Sequence, residues 1–246
     1  MIKIIAICTK VVVSILTALL LTSCRYNVDL GDGIDGNGNV KTEVRTINEK
    51  FDKVNSNRGI EVIVEQDSTA EVKVEADENL LKHITTKVEN GTLVVSSDEN
   101  IDSAEKMIVH VKTAKINGLE ATSGSSISTK STIKGTSIQV KTSSGSEIKA
   151  SVEYDKVVTE STSGSTLTIS GKALNVTTAT SSGSTTNAGD LLANEVDSEA
   201  TSGSSTDVHA LVKLNAKASS GSSIDYKGNP KEVKKEESSG GSVSGI

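Results

Sequence analysis

A Ser-Gly-Ser signature returns along the C-terminal half of the chain, centred on Gly124, Gly145, Gly164, Gly183, Gly203 and Gly221, with a seventh copy at Gly240 that reads Ser-Gly-Gly. The strides between these glycines are 21, 19, 19, 20, 18 and 19 residues. A near-constant period of this size marks a repeat architecture, in which each unit can bury its apolar face only against its neighbours. No other feature of the sequence narrows the possible folds as far.

Aligning the copies on the central glycine turns the segment into columns. Seven residues before it stand Ile138, Val157, Val176, Val196, Leu214 and Val233; five before it, Leu119, Val140, Thr159, Thr178, Ser198 and Ala216. Three before it stand Ala121, Thr142, Ser161, Thr180, Ala200 and Ala218; three after it, Ile127, Ile148, Leu167, Thr186, Thr206, Ile224 and Val243. Strand residues of equal parity share a face, so these columns are expected to point inward, shrinking toward a narrow corner at the glycine. The opposite parity is polar: four before the glycine come Glu120, Lys141, Glu160, Ala179, Glu199, Lys217 and Glu236. Stacked in parallel, they predict an exposed charge ladder whose pairs are each worth at most about 1 kcal/mol.

A coil of about 19 residues holds two or three short strands and their corners. Glycine at the corner permits positive φ, and the hydroxyls of Ser125, Ser146, Ser165, Ser184, Ser204 and Ser222 can bond along the stack. Aromatic residues make up only 2% of the chain, with Phe51, Tyr26, Tyr154 and Tyr226 the full set. The core must therefore be built from Val, Ile, Leu, Ala and Thr, which pack well on pleated surfaces. The expected fold is all-β: a parallel β-helix-like solenoid over 118–246, with coils of about 19 residues, preceded by a β-rich part.

That preceding part, 41–117, alternates with period two at Val44-Arg45-Thr46-Ile47, Ile60 to Val64, Val72-Lys73-Val74 and Ile108 to Val111, the pattern of short strands with one buried face. Asn90-Gly91 between Val88 and Leu93 predicts a two-residue hairpin. Leu80 to Ile84 could form a helical turn. The region lacks the 19-residue period, so it reads either as a cap or as irregular first coils. Residues 24–40, rich in Gly, Asp and Asn, read as a flexible tether. Within it, Asp35, Asn37 and Asn39 have the spacing of the first calcium ligands of an EF-hand loop, but Val40 stands where glycine is required and Thr46 where the closing Glu belongs. No metal site is expected there.

Residues 1–23 read as a signal peptide: Lys3 and Lys10 precede an apolar run from Val11 to Leu21 that is too short to span a bilayer. The run ends Leu21-Thr22-Ser23-Cys24, which resembles the lipobox of bacterial lipoproteins, so lipid attachment at Cys24 is expected. The only other cysteine is Cys8, inside the signal, which leaves a body without thiols, suited to an oxidising envelope compartment. Removing 1–23 takes away two lysines and no acid, moving the formal net charge from −6 to −8. An acidic chain without a basic cluster is not expected to bind nucleic acid. The partners expected are the membrane, through lipidated Cys24, and an unidentified extracellular or envelope component.

No chemistry of catalysis is visible. Serine is plentiful, but a nucleophile needs a base in reach, and the only histidines are His83, His110 and His209. No G-x-S-x-G elbow occurs, and no motif calls for a cofactor. A β-helix polysaccharide lyase or hydrolase would need converging carboxylates, whereas Asp155, Asp190, Asp197, Asp207 and Asp225 are expected to lie in different registers. The last coil carries Lys231, Glu232, Lys234, Lys235, Glu236 and Glu237, a charge cluster expected to guard the open end against edge-to-edge pairing.

With the lipobox, strands opening on Phe51-Asp52-Lys53-Val54 and Gly59-Ile60-Glu61-Val62, the Asn90-Gly91-Thr92-Leu93 turn and the serial Ser-Gly-Ser coils, the chain resembles the head-GIN domain family of autotransporter-type adhesins and surface lipoproteins. The resemblance covers about 42–246 and includes no catalytic motif. It implies a right-handed β-helix-like body at a bacterial envelope, and the outer membrane or cell surface is the expected location. The function expected is that of a non-catalytic, lipid-anchored adhesin or surface-interaction module; the alternative is a structural or stress-related envelope protein without a ligand.

Overall fold

The computed structural model describes residues 33–246, of which 34–246 form one compact unit. Among the described residues there is no helix, and 17 of the strands belong to one continuous sheet. The strands are β1 (Ile34–Asp35), β2 (Val40–Arg45), β3 (Lys53–Ser56), β4 (Glu61–Gln66), β5 (Glu71–Asp77), β6 (Ile84–Glu89), β7 (Thr92–Ser97), β8 (Ile101–Ser103) and β9 (Met107–Thr113). The repeat supplies β10 (Gly118–Ala121), β11 (Ser126–Thr129), β12 (Ile133–Thr142), β13 (Glu147–Ser161), β14 (Thr166–Thr180), β15 (Thr185–Ala200), β16 (Ser205–Ala218), β17 (Ser223–Lys227), β18 (Glu232–Glu237) and β19 (Ser242–Gly245).

From β10 onward the chain is a parallel solenoid. Each coil lies on the one before with the sequence columns in register: Val157 pairs with Val176, Val176 with Val196 and Val196 with Leu214. The inward columns are buried as their parity requires, except for Val233 in the last coil, which is 40% exposed. Toward the turn the interior is lined by hydroxyls, which need partners where no water reaches. Thr142 Oγ1 donates to Ser161 Oγ, Ser165 Oγ donates back to Thr142 Oγ1, and Thr206 Oγ1 donates to Thr180 Oγ1, at 2.8–3.0 Å.

The β-rich part is both coils and cap. β3 and β4 lie under β10 and β11 as two sides of a coil, with Val54 against Leu119 and Val62 against Ile127. β7 and β9 form a further coil beneath that one, although they come later in the chain. The spatial order of the first three coils is therefore 92–113, 51–66, 118–129. The bottom is closed by antiparallel strands: β6 folds back on β7, β5 on β9, and β2 on β5. The β6–β7 hairpin turns at Asn90 (φ 51°) and Gly91 (φ 77°), the positive pair that a type I′ turn demands. Leu80 to Ile84 forms a tight turn, not a helix, with Leu80 wholly buried and its carbonyl accepting from the His83 and Ile84 amides.

Two expectations are corrected here. Val44 was expected on a buried face, yet it is 59% exposed, because it stands opposite Lys73 on the outward face of β5, while the buried Val72 and Val74 point the other way. The tether was expected to run to Val40, yet from Ile34 the chain is tied down. β1 pairs with β8, and the buried Asp77 carboxylate accepts from the amides of Gly38, Glu105 and Lys106 at 3.0–3.3 Å. Those three donors hold the Asp77 carboxyl below its ordinary range. Asp35, Asn37 and Asn39 belong to the same clasp: the Asn79 amide group donates to the Asp35 carbonyl, and Asn37 Oδ1 accepts from the Asn39 amide. The Asp35 carboxylate accepts from Ser103 Oγ at 2.6 Å and Asn39 Nδ2 donates to Glu78 Oε2 at 2.8 Å, so these side chains are spent on holding the segment to the cap.

Candidate functional site

The corner glycines Gly124, Gly145, Gly164, Gly183, Gly203, Gly221 and Gly240 all have φ between 67° and 78°. The residue before each, from Ser123 to Ser239, is also left-handed, with φ between 47° and 58°. Two successive positive φ values define a type I′ turn, and the Ser125 amide closes one such turn on the Thr122 carbonyl at 3.2 Å. Arg58 (φ 56°) and Gly59 (φ 73°) make the same turn in the first coil, where no Ser-Gly-Ser announces it. The turns stack by one bond per coil: Gly59 N–H donates to the Ser123 carbonyl, Gly124 to Ser144, Gly145 to Ser163, and so on to Gly221 and Ser239, at 3.0–3.1 Å. The serine after the glycine points inward; Ser146 Oγ donates to the Ala121 carbonyl and Ser222 Oγ to the Ala200 carbonyl of the preceding coil. In the last copy that position is Gly241, where a Cβ would lie 2.3 Å from the Ala218 carbonyl oxygen. The repeated motif is thus spent on backbone geometry, and whatever the protein binds must meet the outward columns.

Those columns make two flat faces, one before the turn and one after it. On the first, the charge ladder pairs Lys141 with Glu160 at 3.0 Å and Lys217 with Glu199 at 3.5 Å. Ala179 interrupts the ladder and leaves a shallow groove bordered by Thr177, Asp197, Glu199 and Asn215, with Asn215 Nδ2 donating to Asp197 Oδ1 at 2.6 Å. On the second face, Ser126, Glu147, Thr166, Thr185, Ser205, Ser223 and Ser242 form one column, and Ser128, Lys149, Thr168, Asn187, Asp207, Asp225 and Ser244 form the next.

The second face corrects the reading of the acids. Asp207 and Asp225 share a register, each four residues past its glycine, and pair directly across adjacent coils. Burial and the Asp225 charge beside it push the Asp207 carboxyl up. Asp190 is linked to this face only through Lys227, at a place where the β14–β15 register shifts at the bulge that contains Gly189. Over Gly189, where there is no side chain, lies Lys227, whose Nζ is 3.4 Å from Asp190 Oδ1. Asp155 and Asp197 stand elsewhere, Asp155 on the stretch between turns and Asp197 on the first face. The shared offset of Asp207 and Asp225 was legible in the sequence; the link from Asp190 to Lys227 was not, because it depends on a bulge.

The three histidines do not converge. His83 Nδ1 lies 3.0 Å from Asp98 Oδ1, His110 Nε2 3.3 Å from Glu75 Oε2, and His209 Nδ1 3.3 Å from the Gly189 carbonyl. Among the described residues, no three His, Cys, Asp or Glu side chains are arranged to hold a metal ion. Of the tyrosines, Tyr154 is buried in the solenoid wall with its hydroxyl donating to the Ile116 carbonyl at 2.6 Å, and burial pushes its phenol up to about 12. Tyr226 is half-buried and carries Lys235 Nζ 4.8 Å above its ring. Cys24 lies outside the described residues.

Solved structures share this fold. The chain superposes on a “putative adhesin” from Bacteroides fragilis NCTC 9343 with a TM-score of 0.82 at 17% identity, covering 87% of this chain and 100% of that one. It superposes on a “putative adhesin” from Parabacteroides distasonis ATCC 8503 with a TM-score of 0.72 at 20% identity, covering 87% and 100%. A “putative lipid binding protein” from the same strain gives 0.70 at 19% identity, covering 87% and 99%. No curated protein matches the sequence. The family model described as “putative auto-transporter adhesin, head GIN domain” matches residues 50–230, from the first coil to the last but one, and the chain belongs to that family.

Proposed function

We infer that the protein is a non-catalytic adhesin or surface-interaction module of the bacterial envelope, anchored by lipid at Cys24. One observation carries this reading: two flat faces on which outward side chains repeat coil after coil. Such a surface grips an extended partner through many weak contacts of one kind, and it does not enclose a small substrate. The Asp207–Asp225 pair fits this reading because it lies half-buried on a sheet face, not in an enclosed pocket, with Lys227 and Asn187 as neighbours. The leader and the Leu21-Thr22-Ser23-Cys24 sequence support the anchor, since multiple acyl chains hold a protein on a membrane where one does not.

Cys24→Ala, or globomycin treatment, is expected to shift the protein out of the membrane fraction; unchanged fractionation would refute the anchor. Cells that keep the anchor but lack 118–246 are expected to lose adhesion to host or matrix surfaces. Normal adhesion combined with a weakened envelope would favour a purely structural role. Release of reducing or unsaturated ends from a glycan panel would overturn the non-catalytic reading.

A further inference from the structure

Four of the exposed large apolar side chains cluster at one place: Leu174 (50% exposed), Leu192 (36%), Leu211 (44%) and Val212 (47%). They occupy three successive coils, each about midway between Ser-Gly turns, around a shallow depression whose floor includes Tyr154 and Ala173. Leu211 and Val212 are neighbours in sequence and both point outward, which a regular strand does not allow. The stretch midway between turns is a corner in every coil, where two consecutive residues face out: Asp155-Lys156, Leu174-Asn175 and Asn194-Glu195 precede Leu211-Val212, and only at the last does a bulge add a residue, since Ala193 pairs with Ala210 and Glu195 with Lys213. In the coil of Asp155 this corner is charged, whereas at Leu174, Leu211 and Val212 it carries large apolar side chains that stay exposed.

We propose that this ridge rests on a lipid bilayer, so that the solenoid lies along the membrane. The proposal rests in part on the anchor at Cys24. The area argues against a second copy as occupant: the patch is on the order of 300 Å², whereas a stable dimer buries roughly 800 Å² on each partner. Reach argues for the membrane. Ten residues from Cys24 to Ile34 extend to about 35 Å, and the ridge begins about four or five coil spacings, roughly 20–25 Å, from the cap where the tether enters. Charge around the depression is balanced, Lys134 and Lys172 against Glu153 and Asp155, with Lys134 paired to Glu153 at 2.7 Å. Contact is thus driven by apolar insertion, and binding should be insensitive to salt.

Two experiments decide it. First, residues 34–246, the whole compact unit, are sedimented with phosphatidylcholine vesicles at low and high salt. Binding is expected to be weak and to persist at high salt. It should fall at least about ten-fold in the variant combining Leu174→Ser, Leu192→Ser, Leu211→Ser and Val212→Ser, and stay unchanged in Val44→Ser, an exposed apolar site elsewhere. Equal or absent binding by both the native body and the four-site variant overturns the proposal. So does concentration-dependent dimerisation abolished by the four substitutions, which would assign the ridge to a second copy. Second, the full chain with Asn194→Cys, labelled with bimane, is floated with vesicles that contain spin-labelled lipid. Quenching at this position, but not at a Ser205→Cys label on the face after the turn, is the expected result. A chain that floats without quenching at position 194 overturns the ridge contact alone. A chain that does not float overturns the anchor, and the body-alone measurement still decides the ridge.

Discussion

Gly164 and Gly171 are seven residues apart in one coil, and replacing each by alanine should separate two costs that glycine avoids. At Gly164 (φ 69°) a Cβ would meet nothing within 4 Å, so the penalty is only that of an L-residue in the left-handed region, about 1–2 kcal/mol. At Gly171 (φ 118°) the Cβ would lie 2.0 Å from the Val152 carbonyl oxygen, in the strand that pairs with it residue for residue. Backbone cannot give way there without parting the coils, so more than about 4 kcal/mol is expected, the range reserved for disrupted cores. For a domain of this size about 1 kcal/mol shifts Tm by roughly 2–4 °C. Gly164→Ala should therefore lower Tm by about 2–8 °C with its transition intact, while Gly171→Ala should fail to give a native-like melt. Ser163→Asn supplies the internal control: Asn tolerates positive φ better than Ser, so it should raise Tm slightly. Equal losses from the two alanines, or a loss from Ser163→Asn, would refute the assignment of these turns.

Further outcomes follow from side chains inside and at the ends of the stack. Ser146→Ala removes the bond to the Ala121 carbonyl and should cost about 1 kcal/mol in denaturant unfolding, whereas Ser184→Ala should cost far less, because Ser184 Oγ is buried without a partner. Asp207→Asn relieves the like-charge contact with Asp225 and should stabilise the protein by about 0.2–1 kcal/mol at neutral pH. The Asp207 pKa is raised on folding, so its contribution is full below the unfolded value and lost as pH rises through the folded one. The gain from Asp207→Asn should therefore vanish in acid, and a pH-independent gain would exclude the repulsion. The Tyr154 phenol is likewise raised, so its contribution is full below about pH 10 and lost as pH climbs toward about 12; ultraviolet titration should show one tyrosine ionising late. In the last coil Lys235 donates to the Val243 carbonyl and Glu237 accepts from the Val243 amide, both from columns that are apolar or small elsewhere. Lys235→Val with Glu237→Val should therefore cause end-to-end association visible by light scattering, and a monomeric variant would remove the guard role.

Much of this was legible without coordinates, for reasons that individual residues make plain. Period two set parity, and a fixed stride set register, so Val157, Val176, Val196 and Leu214 could be stacked by alignment alone. The Asn90-Gly91 hairpin was legible because few other dipeptides accept two positive φ values. The serine before each corner glycine was harder to read, since Ser rarely takes φ near 55° unless a stack of turns holds it there. Arg58-Gly59 was harder still, because only its position under Ser123-Gly124 reveals it as a member of the series.

The sequence by itself determined the parallel solenoid, its inward columns and the corners, because local periodicity and glycine geometry act within one coil and its neighbours. Tertiary structure alone decided the order of the first three coils, the clasp on Asp77, the link from Asp190 to Lys227 and the apolar ridge at Leu211 and Val212. Each of these depends on which distant strand supplies the next hydrogen-bonded edge and on where a bulge shifts the register. No column of residues records that choice.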